Sequence, residues 1–214
     1  MRAIVIGSKE QVEECRQKLG DPIATEHAVT LSGRVWSGNE IVFDFVSTED
    51  TIAHYSKINA GVIFTDSTFA SVRSRTSLKN VFGFCGLPGF LNRPLLEVAV
   101  PSDGNRELLK SVCVKLSTPC QEVKDEPGLV TPRVIGMIIN EAYFALETET
   151  ASRHDIDLAM KLGTNYPYGP FEWAEKIGRP SLCRLLQTLQ AHTQDDRYQV
   201  SKLLLRESES AKIG

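Results

Sequence analysis

The sequence predicts an α/β domain with a mainly parallel sheet, followed by an all-α domain. Three observations support this fold class. In the first half, short apolar runs that suit buried strands alternate with stretches of helical periodicity. In the second half, apolar residues recur every three or four positions, as in helices with one buried face. Between them lies the turn-forming segment Lys124-Asp-Glu-Pro-Gly128. We therefore predict domains over residues 1–125 and 126–214.

The first half opens with the elements of a nucleotide-binding, Rossmann-like domain. An apolar strand at 2–6 leads to Gly7, and a helix with an apolar stripe follows at 9–19. A later helix is predicted at 107–116. Further strands are predicted at 28–31, 33–36, 41–46, 61–65, 81–84, 95–100 and 120–123. The turn residues between 28–31 and 33–36 indicate a possible β-hairpin. We expect an abbreviated version of the Rossmann-like fold.

The second half contains start and stop signals for five helices. Ser152 is a good N-cap, Pro170 suits a first helical turn, and Gly178 suits a helix end. The predicted helices span 129–146, 152–163, 170–178, 181–191 and 201–210. The polar tail at 207–214 is expected to fray.

The composition argues against several classes of partner. The chain has 214 residues, of which 42% are hydrophobic and 24% charged, with a formal net charge of −3. This balance provides no electrostatic basis for binding nucleic acid or an anionic membrane. No apolar run approaches the roughly 20 residues of a membrane-spanning helix, and the N-terminal apolar stretch is too short for a secretory signal. We expect a cytoplasmic protein with neither nucleic acid nor membrane as a partner.

The cysteine pattern predicts reduced thiols and no metal site. There are five cysteines, an odd number, without any C-x-x-C spacing, and four scattered histidines. In a cytoplasmic protein such cysteines are expected to be small buried hydrophobic residues, and zinc-ligand spacing is lacking.

Three segments of the second half together resemble one known family. They are Pro127-Gly-Leu-Val-Thr-Pro-Arg133, Asn165-Tyr-Pro-Tyr-Gly-Pro-Phe-Glu172 and Asp196-Arg-Tyr-Gln-Val-Ser-Lys-Leu-Leu-Leu-Arg206. Their order and spacing resemble the C-terminal domain of the 3-hydroxyacyl-CoA dehydrogenases. The resemblance implies NAD-dependent fatty-acid chemistry, a homodimer formed through the helical domain, and candidate substrate-binding positions at Pro132 and Arg133. Taken alone, the central turn is also explained as a sharp helix entry that needs no ligand.

The family's catalytic positions can be located in the first half. A gapless alignment over residues 81–98 places the family's catalytic His on Cys85 and its partner carboxylate on Glu97. The family's functional Ser falls near Thr68. The candidate catalytic residues are therefore Glu97, Cys85 and Thr68. For Cys85 itself, a thioester-forming nucleophile and a small buried residue are both conceivable, and Glu97 could be a remnant of a catalytic pair or an ordinary strand residue.

These positions depart from the chemistry that the resemblance implies. An imidazole with a pKa near neutrality suits removal of the hydroxyl proton during hydride transfer. A thiol has an unperturbed pKa near ~8.5 and one protonatable atom, so Cys85 cannot relay a proton between Glu97 and a substrate as two ring nitrogens can. The sequence therefore predicts a weakened hydride-transfer site.

The cofactor site also departs from its usual pattern. Of the Gly-x-Gly-x-x-Gly turn that approaches a pyrophosphate, Gly7 remains, and Glu10 adds a negative charge. Gly7 and Ser8 are the candidate cofactor-binding residues, Lys9 could add a phosphate contact, and Glu26 could anchor a ribose. We expect no cofactor, or NAD if the protein is a working enzyme.

Three functions remain open at this stage. The first is a 3-hydroxyacyl-CoA dehydrogenase-like protein with a degenerated hydride-transfer site that still binds an acyl-CoA-type ligand. The second is a working NAD-dependent enzyme with an unrecognised base, for which His54 beside Lys57 is a candidate. The third is a structural dimerisation or interaction protein. A basic run of Arg73, Arg75 and Lys79 could attract a CoA phosphate or could be ordinary loop charge.

Overall fold

The protein forms two compact units that meet in sequence at Leu129 and Val130. Their architecture is taken from a computed structural model, in which residues 2–210 are described. The first unit is α/β and the second is helical, so the predicted fold class is confirmed. The boundary predicted from composition, between 125 and 126, lies a few residues earlier. Within the described residues, no helix combines the length and apolar character needed to cross a bilayer.

A seven-stranded sheet organises the first unit. Its strands are β1 (Arg2–Ile6), β2 (Ala24–His27), β3 (Glu40–Asp44), β4 (Val62–Asp66), β5 (Val81–Phe84), β6 (Leu96–Val100) and β7 (Cys120–Lys124). They lie in the order β2-β1-β3-β4-β5-β6-β7, and β5 with β6 is the antiparallel pair. Because β2 and β3 flank β1 on opposite sides, the winding reverses at β1, which creates a crevice at the carboxyl ends of the strands.

Both faces of this sheet are buried. Ala3 and Val5 of β1 pack into one cluster, whereas Ile4 and Ile6 pack into the opposite one. This alternation follows from the two-residue repeat of a strand, and it explains why the strands appear in sequence as continuous apolar runs. Three helices complete the unit, namely α1 (Lys9–Leu19), α2 (Glu49–Tyr55) and α3 (Arg106–Lys115).

The predicted hairpin at 28–36 is wrong. The described chain forms a loop there, and the edge strand is the more polar segment Ala24–His27 just before it. Ala28 and Leu31 are buried, whereas Val29 and Val35 are 88% and 86% exposed, so the alternation that suggested strands is produced by a loop anchored at intervals. β2 buries little side-chain surface, because it lies at the edge of the sheet, and therefore carries no apolar signal.

The prediction that all cysteines are reduced is also wrong. Cys113 near the end of α3 and Cys120 at the start of β7 form a disulfide. Their spacing in sequence follows no recognised motif, so only the turn that brings α3 back to the sheet reveals the pair. The remaining cysteines, Cys15, Cys85 and Cys183, are free and buried, as predicted.

Over residues 130–210, the second unit forms five helices. They are α4 (Thr131–Glu147), α5 (Arg153–Thr164), α6 (Pro170–Ile177), α7 (Arg179–Thr193) and α8 (Lys202–Ser210), with a 3-10 turn at Asp196–Tyr198. Ser152 caps α5 by accepting a hydrogen bond from the Asp155 amide, as predicted. Asn140 is buried on α4, donates to the Gln199 carbonyl and accepts from the Ser201 amide. Residues 211–214, the end of the tail expected to fray, lie outside the described residues.

The turn between α5 and α6 has a structural explanation. Glu172 accepts a hydrogen bond from the Gly169 amide at 2.9 Å, and Asp157 accepts one from the Phe171 amide at 2.8 Å. A Cβ atom at Gly169 would lie 2.3 Å from the Asp157 carboxylate, so a side chain there would collide with the group that orients the helix. The motif therefore positions α6 against α5 through contacts within the unit.

Candidate functional site at the carboxyl ends of the strands

The three candidate catalytic residues lie close together in the first unit. Thr68 follows β4 and Cys85 follows β5, and the Thr68 hydroxyl lies 3.6 Å from the Cys85 sulfur. Gly83 of β5 pairs with Ala99 of β6, and continuing this antiparallel register places Glu97 across from Cys85. Their proximity follows from the sheet, since the carboxyl ends of β4 and β5 and the start of β6 share one edge.

The Cys85 thiol is held in its neutral form. The residue is buried, and its sulfur is contacted by the Thr68 hydroxyl. Burial raises the pKa of Cys85 far above the ordinary range, and the nearby negative charges of Asp66 and Glu97 raise it further. At neutral pH this thiol therefore supplies neither a thiolate nucleophile nor a proton acceptor.

Sequence reasoning missed Asp66, which organises this edge. Its Oδ1 atom accepts hydrogen bonds from the Thr68 amide at 2.9 Å, the Thr68 hydroxyl at 2.5 Å and the Gly86 amide at 2.9 Å. Burial raises the pKa of Asp66, and the hydrogen bonds from Thr68 and Gly86 oppose that shift. A Cβ atom at Gly86 would lie 2.7 Å from the Asp66 carboxyl carbon, so the glycine allows this close approach. The sequence offered one signal for this role, namely that Asp66 is a carboxylate at the end of an apolar strand.

A second buried network lies at the ends of β3 and β4. Asp44 is fully buried and accepts hydrogen bonds from the Ser47 amide at 2.8 Å and the Tyr55 hydroxyl at 2.7 Å. The Thr65 hydroxyl lies 2.9 Å from the same Tyr55 oxygen and 2.7 Å from that of Ser47. Burial, with the charge of Asp44, raises the pKa of Tyr55, which keeps the phenol protonated. This network joins α2 to the sheet.

The turn after β1 uses its polar groups within the chain. Ser8 caps α1, because its hydroxyl accepts from the Gln11 amide at 3.3 Å while the Gln11 side chain accepts from the Ser8 amide at 2.8 Å. The same Gln11 side chain donates to the Gly86 carbonyl at 3.3 Å. At the end of β2, a His27 ring nitrogen lies 2.9 Å from the Gly7 carbonyl oxygen. The glycine turn is thus linked to both β2 and the loop after β5.

That loop is also held against α1. The Glu14 carboxylate accepts hydrogen bonds from the amides of Gly89, Leu91 and Asn92 at 3.1, 2.9 and 3.0 Å. One side chain therefore fixes the path of the segment that separates the predicted Cys85 and Glu97 positions.

Other candidate ligand-binding residues have partners within their own units. Arg73 forms an ion pair with Asp103, and Arg75 donates to the Asp66 carbonyl at 2.8 Å. Glu26, the possible ribose anchor, pairs with Arg34 and with Arg2. These contacts favour the interpretation of the basic run as loop charge.

The remaining predicted positions lie apart from this edge in sequence or serve local structure. Pro132 is buried and Arg133 half-buried in the first turn of α4, in the second unit. The His54 ring on α2 lies 2.7 Å from the Asp50 carbonyl oxygen, and α2 ends before Lys57. Among residues 2–210, no group of three or more His, Cys, Asp or Glu residues could hold a metal ion.

Comparison with known proteins finds a family match in the helical unit. Residues 128–214 match the family model described as 3-hydroxyacyl-CoA dehydrogenase, C-terminal domain. The 3-hydroxyadipyl-CoA dehydrogenase of Escherichia coli K12 is 47% identical over 83 residues, which cover 39% of this chain and 18% of that protein. The 3-hydroxybutyryl-CoA dehydrogenase of Bradyrhizobium diazoefficiens is 30% identical over 127 residues, covering 56% of this chain and 43% of that protein. The matched segment therefore spans less than half the length of either relative.

Similarity of fold extends over nearly the whole chain. The crystal structure of (S)-3-hydroxybutyryl-CoA dehydrogenase from Ralstonia eutropha superposes with a TM-score of 0.75 at 18% identity, covering 99% of this chain and 94% of that one. At this identity the match concerns the fold. It agrees with the mostly parallel sheet followed by helices described above.

Proposed function

We propose, from the match of residues 128–214 to the 3-hydroxyacyl-CoA dehydrogenase C-terminal domain, that the protein is a member of that family that has lost hydride transfer and still binds an acyl-CoA-type ligand. One observation carries the proposal. The position aligned with the catalytic His holds Cys85, a buried thiol whose pKa is raised. A group that stays protonated at neutral pH cannot accept the hydroxyl proton as hydride leaves.

The donor groups around Cys85 support the same conclusion. In a working site, an oxygen of the reacting substrate needs hydrogen-bond donors aimed at it. Here Thr68 and Gly86 direct three donors at the chain's own Asp66 Oδ1 atom. These donors are therefore engaged within the protein.

The residues present fit a dinucleotide poorly. A pyrophosphate requires unengaged backbone amides and a glycine-rich approach at a helix N-terminus. In α1 the Ser8 amide is bonded to the Gln11 side chain, and Glu10 adds a carboxylate in the first turn. A Cβ atom at Gly7 would lie 3.2 Å from the Cβ atom of Phe45, so the turn is already closely packed. We therefore assign no step to NAD.

We also propose that the protein forms a homodimer through the helical unit. Helix α5 has no buried residue along its described length, and it exposes Leu158 and Leu162. Exposed leucines on one helix favour a protein partner, and a second copy of this chain is the partner that the family membership suggests.

Two assays test this function. With acetoacetyl-CoA and NADH we expect no turnover above background, and the same result for Glu97→Gln and for the exposed control Glu107→Gln. Turnover that Glu97→Gln abolishes and Glu107→Gln preserves would refute the loss of hydride transfer, and would favour a working enzyme with an unrecognised base.

Acyl-CoA binding is tested separately by thermal shift and calorimetry. A ligand present at 100 times its dissociation constant should stabilise the folded protein by about 2.7 kcal/mol, whereas NAD should produce no shift. If acyl-CoAs of every chain length tested produce neither heat nor a thermal shift, the ligand-binding part of the proposal fails, and a structural dimerisation protein becomes the better interpretation.

A further inference from the structure

The disulfide joins two elements of the first unit that differ in how many of their residues are buried. Cys113 lies in the last turns of α3, on its buried face, and Cys120 is the first residue of β7. The two cysteines are seven positions apart in the sequence, and their Cα atoms lie 6.2 Å apart. Helix α3 is anchored by buried Leu109 and Val112, whereas β7 is the edge strand with no buried residue.

The disulfide lies beside a groove. Both half-cystines line a cavity of about 460 Å³, together with Leu109, Val114 and Pro119. Cys120 is half-buried, whereas the free cysteines are all buried. Thiol–disulfide exchange requires that an attacking thiolate reach one of the sulfurs. This groove provides such a path to Cys120.

The edge strand is connected to the candidate site through its neighbour. In the parallel pair β6–β7, Cys120 lies opposite Leu96 and Gln121 opposite Glu97. Besides the disulfide, one ion pair between Arg106 and Glu122, at 3.1 Å, joins α3 to β7. Both groups of that pair are exposed, so it contributes little to holding the strand. The covalent bond is therefore the stronger of these two links between α3 and β7.

We propose that Cys113 and Cys120 form a redox-responsive clip that controls the order of β7 and, through it, of β6 with Glu97. The reductant is a dithiol. Its thiolate attacks the Cys120 sulfur, the S–S bond breaks, and Cys113 leaves as a thiolate. The second thiol of the reductant then displaces Cys120 and closes the reductant's own disulfide. Two electrons pass to the protein, and each released thiolate takes up one proton.

In the reduced state, the thiol of Cys120 has a hydrogen-bond acceptor nearby. The Cys120 sulfur lies 3.5 Å from the Thr118 carbonyl oxygen, which can accept the hydrogen of the thiol. The turn itself keeps the backbone hydrogen bond from the Thr118 amide to the Cys113 carbonyl at 3.1 Å. Reduction is thus expected to loosen β7 on the side of α3, while its pairing with β6, α3 itself and the turn remain.

The test compares the wild-type protein after equilibration in oxidising and reducing dithiothreitol buffers. Thiol titration in denaturant should find three thiols in the oxidised form, matching the free cysteines, and all five in the reduced form. Hydrogen exchange at 118–124 should become roughly tenfold faster on reduction, whereas exchange in α1 should not change. The thermal midpoint should fall by roughly 5 °C.

Two variants distinguish an effect of the disulfide from a general loosening of the fold. The double variant Cys113→Ser/Cys120→Ser should exchange like the reduced protein in either buffer. Arg106→Gln removes the neighbouring ion pair and keeps the disulfide, so it should retain the full redox response. Five thiols in the oxidising buffer would overturn the proposal. Equal exchange at 118–124 in the two redox states would overturn it as well.

Discussion

At the end of β4, Asp66 concentrates three hydrogen bonds on a single oxygen. Hydrogen bonds to a charged acceptor are stronger than neutral ones, and they fix the positions of both Thr68 and Gly86. The same carboxylate helps to keep Cys85 protonated. Asp66 therefore fixes the local geometry and, after burial as the larger cause, adds to the raised pKa of Cys85.

The pH dependence of stability tests this role of Asp66. Because burial raises its pKa, the folded state binds this proton more tightly than the unfolded chain does. The stability linked to Asp66 is thus fully present below the unfolded pKa and is lost as pH rises through the folded value. Asp66→Asn is uncharged and keeps an oxygen acceptor, so its stability relative to wild type should increase with pH in urea unfolding.

A second variant separates the effect of losing the Asp66 hydrogen-bond acceptor from the effect of losing its charge. Asp66→Ala leaves buried donors of Thr68 and Gly86 without their partner, which should cost about 1–3 kcal/mol in the free energy of unfolding at any pH. If Asp66→Asn is as unstable as Asp66→Ala, or if its difference from wild type does not vary with pH, the assigned role is wrong.

At the scale of elements, α1 is both a structural helix and a support for the loop after β5. Gln11 accepts from the Ser8 amide and donates to the Gly86 carbonyl, while Glu14 holds three loop amides. The helix N-terminus that binds a pyrophosphate in dinucleotide folds is engaged here in contacts within the protein. Where the dinucleotide motif has its second and third glycines, this chain has Lys9 and Val12, and the capping box of Ser8 and Gln11 closes the turn.

Removal of that capping contact should be measurable. Gln11→Ala loses the acceptor for the Ser8 amide and the donor to Gly86, and should lower the free energy of unfolding by about 1–2 kcal/mol. Gln17→Ala is the control, because its carbonyl accepts one exposed hydrogen bond from Asn92 at 3.2 Å. Urea unfolding monitors both variants, and an equal loss of stability in the two would argue against the special role of Gln11.

At the scale of the whole molecule, the two units each form a core of their own, and one helix of the second unit contributes no buried residue. In α5 no residue is buried, and Leu162 is 78% exposed. Burying such side chains contributes roughly 25 cal/mol per Å². An association through this helix therefore has a physical driving force.

Light scattering tests the association. The wild-type chain should have the mass of a dimer at micromolar concentration, and Leu158→Glu/Leu162→Glu should have that of a monomer, because charges would be buried in the interface. Val114→Glu in the first unit is the control, since Val114 is 77% exposed and lies away from α5 in sequence. A monomeric wild type would contradict the proposed dimer.

Local patterns were sufficient for most elements of the fold. The strand at 2–6, the helix at 9–19, the strand at 81–84 and the Ser152 cap were predicted correctly. Each depends on the regular spacing of apolar residues or on a helix cap, and both act within a few residues of the chain. The segment 28–36 failed, because intermittent anchoring of a loop produces the same alternation as a strand.

The sequence by itself determined most of the order of elements and the family similarity, and it predicted that Cys85 lies where the family has its catalytic His, because these are properties of residue types and their spacing. Only the tertiary structure decided how Asp66, Thr68 and Gly86 share one oxygen, how Gln11 closes the turn after β1, and that Cys113 is bonded to Cys120. Those contacts depend on strands and loops that are distant in the chain, and the path that brings them together is set by the packing of the sheet.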